Sequence, residues 1–562
     1  MEKQKSGIRH LVEICYQKGI ENIVISPGSR NAPIIIAFTN HPKINCLSVV
    51  DERSAAFFAL GMAQQSGKTV AIACTSGSAA LNYAPAIAEA YYQHIPLLVL
   101  TADRPQEWID QADSQTIRQN NIYSNYIKKS FELPQNIQNA DDLWYANRLI
   151  NEAIELCQSS TPGPVHINLP FKEPLYQGYD EDIAPPKIIN TSEVAHILEA
   201  HEIKKLANLW NTSSKKLIIS GMMNPNPELN NVLIEISKDP SVVFLTENTS
   251  NLYHLTFNSC IDRTLAAITE EELENFKPDL LISFGNQIVS KKIKAFFRQH
   301  QPEEHWHIDT HELFLDTYQS LTKNIPVKPA YFFNKMSEHI IPYKSNFSRI
   351  WDDKSKLNSK KHQEFIEKCE YSDMKVFDLL LKAIPSNSNL QLANSTPVRY
   401  AQLFDAREDL VYNSNRGTAG IDGSLSTAVG AAFKSKQSTT IIIGDLSFFY
   451  DSNGLWNYYL SDDLRIILIN NGGGGIFRFL DGPSDTKDFD TFFETTHNLN
   501  AEGIAKTFNV LYQSASNLNE VKDGLSNLYH PENKKASMLE IFTPRELNAI
   551  ILKDYFQFLK KS

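Results

Sequence analysis

Two apolar segments in the C-terminal third of the chain each lead into polar side chains that could bind a metal ion. Residues 440–443 lead through a glycine to Asp445, and residues 466–469 lead to Asn470 and Asn471, which precede four glycines. Both segments have the length and composition of buried parallel strands, and α/β sheets bind ligands beyond the carboxyl ends of such strands. A carboxylate, an amide and glycine backbone are oxygen donors suited to Mg²⁺ that also holds a diphosphate.

This pattern resembles the diphosphate and metal motif of thiamine-diphosphate enzymes, with Leu446 where many members have glycine. The resemblance implies that the cofactor diphosphate binds at Gly444, Asp445, Leu446 and Ser447. It implies metal ligands from Asp445, Asn471 and the carbonyl of Gly473, for Mg²⁺ or, as an alternative, Mn²⁺. The family pattern has a longer asparagine run, so a slip of one residue, to Asn470 or Gly472, stays open. Two buried strands with ordinary glycine-rich turns are the alternative explanation.

Composition places the chain among globular proteins and argues against two classes of partner. Its 562 residues are 42% hydrophobic and 21% charged, which suits about three or four domains. A net charge of −11 and scattered basic residues argue against a nucleic-acid or anionic-membrane surface. Six widely spread cysteines, no apolar segment of about 18 residues and no signal-peptide pattern predict a cytoplasmic protein with reduced thiols.

Alternating strand and helix patterns predict an α/β fold with three doubly wound parallel-sheet domains of the thiamine-diphosphate enzyme type. We expect a pyrimidine-binding domain at 1–185, a central domain at 193–345, a helical connector at 346–384 and a diphosphate- and metal-binding domain at 385–562. Strands are expected at 22–26, 69–74, 96–100, 165–169, 216–220, 242–245, 279–284, 305–308, 410–412, 440–443, 465–469 and 538–542. Helices are expected notably at 54–65, 79–92 and within 345–390, and a polar linker at 176–192.

Glu52 is a candidate for the acid that activates the cofactor. It follows an apolar segment, residues 46–50, and precedes a helical pattern, so it lies at a strand end and a helix start. Thiamine diphosphate becomes nucleophilic when its own amino group, as the imino tautomer, removes a proton from the thiazolium carbon. That tautomer requires a protonated pyrimidine nitrogen, and a buried carboxylic acid of raised pKa supplies the proton. For Glu52 alone, a carboxylate favoured by the helix dipole is the alternative.

Five further motifs narrow the resemblance to one family. They are ISPGSRNAP at 25–33, DERSAAFFALG at 51–61, TADRP at 101–105, ISFGNQIVSKK at 282–292 and NSNRGTAGIDG at 413–423. Together with the metal segment they closely resemble the 2-succinyl-5-enolpyruvyl-6-hydroxy-3-cyclohexene-1-carboxylate synthases. The resemblance implies a transferase of menaquinone biosynthesis that decarboxylates 2-oxoglutarate and adds the succinyl carbanion equivalent to isochorismate. It also implies a homodimer or homotetramer with active sites at the subunit interface.

Both substrates implied by this resemblance are dicarboxylates, and arginine suits them because its planar fork binds carboxylate bidentately. Loops after strands carry Arg30, Arg104, Arg399 and Arg416, and two point charges come from Lys291 and Lys292. For each arginine alone, a surface ion pair is the alternative explanation. The resemblance adds polar substrate contacts from Ser29, Gln115 and Ser395.

Three apolar residues complete the expected site. Ile421 matches the family residue that supports the cofactor in its bent form, with an ordinary core isoleucine as the alternative. Ile476 and Phe477 would form an apolar wall beside the reacting centre, where burial of the departing carboxylate favours its loss. The role of Arg478 stays open, because no basic residue is expected there.

Two rival functions stay open. Another thiamine-diphosphate enzyme, a 2-oxo acid decarboxylase or an acetolactate synthase, would share Glu52, Asp445 and Asn471 but would not need the arginines. A non-catalytic nucleotide-binding or regulatory protein could use residues 472–475 as a dinucleotide loop. That stretch, however, lacks a G-x-G-x-x-G pattern with a later acidic residue.

Overall fold

Three six-stranded sheets organise the part of the chain that this computed structural model describes, residues 6–176, 184–192, 194–311, 314–478 and 486–561. Every strand pairing within these residues is parallel. Helices alternate with the strands along the chain. The predicted class, α/β with three doubly wound parallel-sheet domains, is therefore confirmed.

The first sheet contains β1 Asn22–Ile25, β2 Asn45–Ser48, β3 Val70–Cys74, β4 Leu97–Asp103, β5 Ser130–Glu132 and β6 Val165–Pro170, in the order β2-β1-β3-β4-β6-β5. Its helices are α1 Ser6–Gln17, α2 Ala32–Thr39, α3 Glu52–Ser66, α4 Ser78–Asn82, α5 Ala84–Gln93 and α6 Ala140–Gln158. Successive residues of β1 point to opposite faces: Val24 joins one buried apolar cluster, whereas Ile23 and Ile25 join another. Both faces of this sheet are therefore covered, as is usual for parallel sheets.

The second sheet contains β7 Lys216–Ser220, β8 Val242–Thr246, β9 Phe257–Asn258, β10 Leu280–Phe284, β11 Glu304–Ile308 and β12 Lys323–Ile325. Its helices are α7 Ala200–Thr212, α8 Pro227–Ile236, α9 Ile261–Leu265, α10 Leu273–Phe276, α11 Lys291–Gln299 and α12 Pro329–Ser337. Read from one edge, the strand order is β9-β8-β7-β10-β11-β12. This is the order of doubly wound dinucleotide-binding sheets.

Two helices, α13 Phe347–Lys368 and α14 Asp373–Ala383, lead into the third sheet. Its strands are β13 Ser388–Leu392, β14 Leu410–Asn413, β15 Thr439–Gly444, β16 Leu464–Asn470, β17 Leu511–Ala515 and β18 Ser537–Phe542. Its helices are α15 Thr396–Ala401, α16 Ser424–Lys434, α17 Asp445–Tyr450, α18 Phe489–Phe492, α19 Glu502–Thr507, α20 Leu518–Leu528 and α21 Arg545–Lys560. The strand order, β14-β13-β15-β16-β18-β17, repeats that of the first sheet.

Residues 79–92, predicted as one helix, form two helices in the structure. α4 ends at Asn82, and α5 begins at Ala84 with Pro85 in its first turn. Proline has no N–H to donate to the preceding turn, so the first helix ends and a second one starts there.

Strand β13 lies in the interior of the third sheet, although residues up to 390 were predicted to be helical. Its Asn389 and Gln391 are buried, and Asn389 Oδ1 accepts a hydrogen bond from Asn413 at 2.8 Å. Polar residues inside a buried strand hide the apolar pattern by which strands are recognised. The other unpredicted strands, β5, β9, β12 and β17, are edge strands.

Helix α3 packs at very short range against α16, which joins the first sheet to the third. A Cβ atom on Gly61 would lie 2.0 Å from the carbonyl oxygen of Thr427. A Cβ atom on Gly430 would lie 1.9 Å from the carbonyl oxygen of Phe58. Only glycine lets the two helix backbones come this close. The close packing of α3 on α16 fixes the position of α3, and with it the start of that helix, relative to the third sheet.

The predicted linker at 176–192 is only partly covered by the structure. Residues 177–183 lie outside the described residues, and residues 184–192 contain no helix or strand. The carbonyl of Lys187 accepts a hydrogen bond from Asn151 at 3.0 Å, so this part of the linker lies along α6. Among the helices that the structure describes, none is long and apolar enough to cross a lipid bilayer.

Candidate active site

The carboxyl ends of β15 and β16 bring Asp445 and Asn471 to the same edge of the third sheet. The two strands pair in parallel as far as Gly444 and Ile469. Asp445 then begins α17, and Asn471 follows the last residue of β16. Neighbouring strand ends therefore place a carboxylate and an amide that are distant in sequence at one site.

The Asp445 carboxylate is buried and turned towards the glycines that follow Asn471. Its Oδ2 accepts the N–H groups of Gly472 at 2.8 Å and Gly473 at 3.0 Å. Nε2 of His497 lies 3.4 Å from the same oxygen. These contacts fix the carboxylate relative to the glycine turn, so a cation bound to Asp445 would also lie beside that turn.

Asn471 and its neighbour Asn470 differ in how their amides are bonded. Asn471 Nδ2 donates to Asp373 Oδ2 at 3.2 Å, but its buried Oδ1 has no hydrogen-bond partner among the described residues. Asn470 Nδ2 donates to Glu540 at 2.7 Å, and its Oδ1 accepts the N–H of Gly472 at 3.2 Å. The Asn471 oxygen is therefore free to bind a cation, whereas both ends of the Asn470 amide are already bonded. The hydrogen bonds therefore favour Asn471 as the metal ligand, and the residues fit a divalent cation.

The turn after Asn471 depends on glycine. Gly472 has a φ of +78° and Gly473 a φ of +152°, which strain other residues. A Cβ atom on Gly473 would also lie 2.7 Å from the carbonyl oxygen of Glu494. At the neighbouring strand end, a Cβ atom on Gly444 would meet nothing within 4 Å, so that backbone is open to a ligand.

Ser447 links α17 to the loop that carries Ile421. Its hydroxyl donates to the Ile421 carbonyl at 2.5 Å. The Ile421 residue is 40% exposed, whereas an ordinary core isoleucine is buried. The structure thus leaves this apolar side chain available for contact with another molecule.

Glu52 is the first residue of α3 and is half-buried. The helix begins behind Asp51, whose carboxylate accepts the N–H of Ser54 at 3.2 Å. Burial raises the pKa of Glu52, a hydrogen bond from its own backbone lowers it, and the negative charge of Asp51 raises it further. A carboxyl group of raised pKa in a partly apolar place is suited to hold a proton.

Within one chain, the residues beside Glu52 contact the far end of α17. Asn453 donates to the Asp51 carboxylate at 2.8 Å, and Arg53 donates to the Tyr450 carbonyl at 2.7 Å. Tyr450 ends α17, whereas Asp445 begins it, and a helix of this length spans roughly 9 Å. The neighbours of Glu52 and the metal-site carboxylate therefore lie at opposite ends of this helix.

Arg30 and Arg104 form a cationic pair beyond the carboxyl ends of β1 and β4. Burial lowers the pKa of Arg30, and the positive charge of Arg104 lowers it further. Arg104 also forms an ion pair with Asp113 at 3.1 Å. This contact agrees with the alternative explanation, in which the arginine forms a surface ion pair. Gln115 lies two residues on, with a φ of +53°, and the exposed Ser29 precedes Arg30. The structure thus brings four predicted site residues into one cluster of loops.

Arg399 and Arg416 form a second cationic pair, at the edge of the third sheet. Burial lowers the pKa of Arg416, and the charge of Arg399 lowers it further. The Nε atom of each guanidinium is buried without a hydrogen-bond partner among the residues described. The buried carboxylate of Glu247 lies near both, and burial raises its pKa to about 7. Unpartnered guanidinium nitrogens leave this pair able to bind a carboxylate.

Ser395 directly precedes α15, the helix that carries Arg399, and its backbone is strained, with a φ of +74°. The preceding Asn394 accepts a hydrogen bond from Arg416 through its Oδ1 at 3.0 Å. Its Nδ2 donates to the carbonyls of Asn415 at 2.6 Å and Gly420 at 2.7 Å. The end of β13 therefore holds the loop that carries both Arg416 and Ile421.

The lysines near this second pair differ from those predicted. The predicted Lys291 is exposed, and Lys292 Nζ lies 3.3 Å from the centre of the Phe556 ring, with its pKa lowered to about 8 by burial. Lys294 follows Lys291 by one helical turn. Burial is the main cause that lowers the pKa of Lys294, and its charge interacts with Glu247, Arg416 and Arg399. Successive helix residues point about 100° apart, so Lys291 and Lys292 do not face one point together.

Ile476 and Phe477 lie half-buried in a short 3₁₀ turn, Gly475–Arg478, directly after the glycine turn. Arg478 forms a bidentate ion pair with the buried Glu494, Nε to Oε1 at 2.5 Å and Nη2 to Oε2 at 2.6 Å. The backbone carbonyl of Glu494 accepts the N–H of Gly474 at 2.6 Å. Arg478 therefore has a structural role: it ties the Glu494 segment to the glycine turn.

Four residues near Asp445 and the glycine turn were not predicted, namely Asp373, His497, Glu494 and Arg545. Asp373 is fully buried at the start of α14, which raises its pKa to about 6, although hydrogen bonds from Thr543 and Asn471 lower it. Arg545 donates to the Gly472 carbonyl at 3.3 Å. A serine followed by an aspartate at a helix start has the pattern of a capping sequence, so nothing marked Asp373 as part of a site.

Three family models match the chain. The thiamine pyrophosphate enzyme N-terminal TPP binding domain matches residues 5–122, the middle domain of thiamine pyrophosphate matches 190–392, and the C-terminal TPP binding domain matches 395–541. Each model covers one of the three sheets, at least in part. The metal-site residues all lie within the third match.

Curated relatives match nearly the whole chain. Proteins named 2-succinyl-5-enolpyruvyl-6-hydroxy-3-cyclohexene-1-carboxylate synthase are 45% identical in Flavobacterium johnsoniae and 43% in Christiangramia forsetii, each over 98% of both chains. The protein of that name from Bacteroides thetaiotaomicron is 38% identical over 100% of both chains. Identity of this extent over full length shows common descent of all three sheets. The chain belongs to the 2-succinyl-5-enolpyruvyl-6-hydroxy-3-cyclohexene-1-carboxylate synthase family of thiamine-pyrophosphate enzymes.

Proposed function

We propose that this chain decarboxylates 2-oxoglutarate with thiamine diphosphate and adds the remaining succinyl unit to isochorismate, within menaquinone biosynthesis. The product is 2-succinyl-5-enolpyruvyl-6-hydroxy-3-cyclohexene-1-carboxylate, the compound named in its relatives. The observation that carries the proposal is the pair of the half-buried Arg399 and the buried Arg416, whose buried Nε atoms have no partner in the described structure. Dicarboxylate substrates need such sites, whereas a decarboxylase or acetolactate synthase acting on monocarboxylates does not.

The proposed cation site consists of Asp445, Asn471 and the carbonyl of Gly473. One carboxylate, one amide oxygen and one backbone carbonyl suit Mg²⁺, which takes its other ligands from a diphosphate and water. The unpartnered Oδ1 of Asn471 supports this assignment. Mn²⁺ is an alternative, because it prefers the same oxygen donors.

The proposed cofactor site runs from the metal to Glu52. The open backbone at Gly444, followed by Leu446 and Ser447, would hold the diphosphate. Bound thiamine diphosphate supplies a nucleophilic carbon that can take up the electrons released by decarboxylation. Glu52 holds the proton that it shares with the pyrimidine nitrogen, and its raised pKa helps it to do so. The exposed Ile421 packs against the cofactor.

Each arginine pair would contribute one member to isochorismate and one to the remaining substrate carboxylates. We assign Arg104, Arg399 and Lys292 to isochorismate, and Arg30 and Arg416 to the remaining carboxylates. Lys294 joins the second pair, because it lies near both of its arginines. The exposed Lys291 would act only as a long-range charge. Polar contacts would come from Ser29, Gln115 and Ser395, and Ile476 with Phe477 would form the apolar wall.

We further propose a homodimer or homotetramer in which two subunits share each active site. Within one chain, the neighbours of Glu52 contact the end of α17 that lies away from Asp445. Large apolar residues beyond that end are exposed, among them Trp456 at 48% and Tyr458 at 97%. A second copy of the chain would cover them. All six cysteines are unpaired, which supports a cytoplasmic location.

The test is an assay of the purified protein with thiamine diphosphate and Mg²⁺. We expect 2-oxoglutarate to be consumed rapidly only when isochorismate is present, and mass spectrometry to identify the succinylated cyclohexene carboxylate. Rapid decarboxylation of 2-oxoglutarate alone would favour a simple decarboxylase. Consumption of pyruvate with formation of acetolactate would favour an acetolactate synthase, and either result would overturn the proposal.

A further inference from the structure

The amide of Asn471 has two chemically different ends, and the structure distinguishes them. Nδ2 donates to Asp373 Oδ2 at 3.2 Å, and Oδ1 is buried without a partner in the described structure. If the amide rotated by half a turn, its oxygen would face the Asp373 carboxylate, and two acceptors would meet without a proton between them. The NH₂ group would then face the proposed cation position, where it could not serve as a ligand.

Asp373 is itself fixed by a closed set of hydrogen bonds. Its Oδ1 accepts the hydroxyl of Thr543 at 2.6 Å, and its backbone N–H donates to Asn548 Oδ1 at 2.8 Å. Asn548 Nδ2 in turn donates to the Thr543 hydroxyl at 3.1 Å. The start of α14, the residue after β18 and helix α21 thus hold the carboxylate in a single position behind Asn471.

The charge of Asp373 is favoured by the helix dipole at the start of α14, but it is not balanced by an ion pair in the described structure. Asp373 is 1% exposed, and no lysine, arginine or histidine nitrogen pairs with it among the residues described. An unpaired buried carboxylate destabilises a fold, and a neutral side chain of similar size would fill the same space at less cost. The carboxylate of Asp373 can serve instead as the acceptor that holds the NH₂ group of Asn471, and its negative charge suits the proposed cation beyond that amide.

We propose that Asp373 is a positioning residue for the metal site, one that holds the Asn471 amide so that Oδ1 faces the cation. It acts through Asn471 and is not itself a ligand. The inference rests on the proposed function, because it requires a divalent cation between Asp445 and Asn471. Residues that orient metal ligands from behind typically contribute 10- to 100-fold in metal affinity.

The experiment measures Mn²⁺ binding to the purified full-length protein with saturating thiamine diphosphate, by the electron paramagnetic resonance signal of free Mn²⁺. Asp373→Leu removes the acceptor, and its dissociation constant should rise roughly 10- to 100-fold. Asp373→Asn keeps an acceptor oxygen for Asn471 and can donate to Thr543, so most of the affinity should return. Thr543→Val is the matched control: it removes a hydrogen bond to the same carboxylate but leaves the contact with Asn471.

Melting temperatures of all variants separate positioning from stability. The inference predicts that Thr543→Val and Asp373→Leu both lower the melting temperature, but that only Asp373→Leu lowers Mn²⁺ affinity strongly. Parental affinity in a folded Asp373→Leu variant, or equal loss in Thr543→Val, would overturn it. If Asp373→Leu does not fold, Asp373→Ala replaces it under the same criteria. Failure of the parent protein to bind Mn²⁺ would overturn the proposed function, and this inference with it.

Discussion

The carboxylate of Glu89, on helix α5, accepts the backbone N–H of Gly417 at 2.7 Å, in the loop that carries Arg416. It also accepts the N–H and the hydroxyl of Thr418, at 2.7 and 2.6 Å. From the loop after β10, Gln287 donates to the Gly417 carbonyl at 2.6 Å. Residues beside the first and second sheets thus hold a loop of the third sheet, and with it an arginine assigned to substrate.

Replacing Glu89 by alanine should weaken substrate binding more than it slows turnover. Four donors, the three in this loop and Nε2 of Gln93, would lose a charged acceptor, and a hydrogen bond of this kind contributes about 1.5–3 kcal/mol. We expect the KM for 2-oxoglutarate to rise roughly tenfold or more, with a smaller fall in kcat. Glu89→Gln, which keeps one acceptor oxygen, should recover part of the effect. A fall in kcat at unchanged KM would show that Glu89 does not position Arg416.

The contact between α3 and α16 should make Gly61 and Gly430 intolerant of alanine. In each case the added methyl group would lie within 2.0 Å of a backbone oxygen, so one helix must shift. Overpacking of this kind costs about 1–3 kcal/mol, measurable by denaturant unfolding. Gly503→Ala is the control, because a Cβ atom added to the helical Gly503 would meet nothing within 4 Å. Equal stability of Gly61→Ala and Gly503→Ala would contradict the close contact.

Asn470→Ala and Asn471→Ala should fail in different ways. Asn470 holds the buried Glu540 and the Leu499 carbonyl, so its loss should lower the melting temperature. Asn471 carries the unpartnered oxygen and bonds only to Asp373 among the described residues, so its loss should lower the melting temperature of the cofactor-free protein less than the loss of Asn470 does, but abolish tight binding of Mg²⁺ and thiamine diphosphate. Calorimetric titration of the cofactor measures the second effect. The reverse pattern would move the metal ligand to Asn470.

The half-buried His94 should make the fold sensitive to acid. His94 stacks on His311 with ring centres 3.5 Å apart. Burial is the main cause that lowers the pKa of His94 to about 4; the positive charges of His311 and Lys128 lower it as well, and the negative charge of Asp309 raises it. In the unfolded chain the His94 side chain takes up a proton near pH 6.5, whereas in the folded chain it does so only near pH 4. The free energy of unfolding is therefore highest above pH 6.5 and falls as the pH drops towards 4. The loss is at most about 3 kcal/mol. His94→Gln should flatten the pH dependence of unfolding over this interval, and an unchanged slope would contradict it.

The fold followed from the sequence wherever apolar runs marked buried strands. Strands β15 and β16 were predicted within one residue at each end, because a continuous run of isoleucine and leucine residues marks each of them. Strand β13 was missed because Asn389 and Gln391 are buried and bond to other side chains. A single sequence does not reveal such partners, which lie far along the chain.

The structure places Asp445 and Asn471 together at neighbouring strand ends, as expected from the sequence, whereas their part in binding a metal stays a prediction. Asp445, Asn471 and the arginines stand at strand ends, and their types indicate metal and carboxylate binding. Asp373, Glu89 and Lys294 were not predicted, because their neighbours at the site are residues that only the fold brings near. In the case of Lys294, helical spacing from Lys291 was the one usable signal.

The central claim is that Glu52 activates thiamine diphosphate by holding a proton at its pyrimidine nitrogen. The most direct measurement is proton–deuterium exchange at the thiazolium carbon of the bound cofactor, followed by NMR after acid quench, in the parent protein and in Glu52→Gln. The account predicts exchange slower by about 10²–10⁴-fold in the variant, with cofactor affinity and melting temperature nearly unchanged. Exchange as fast as in the parent would mean that Glu52 only begins helix α3 and that the activating acid lies elsewhere.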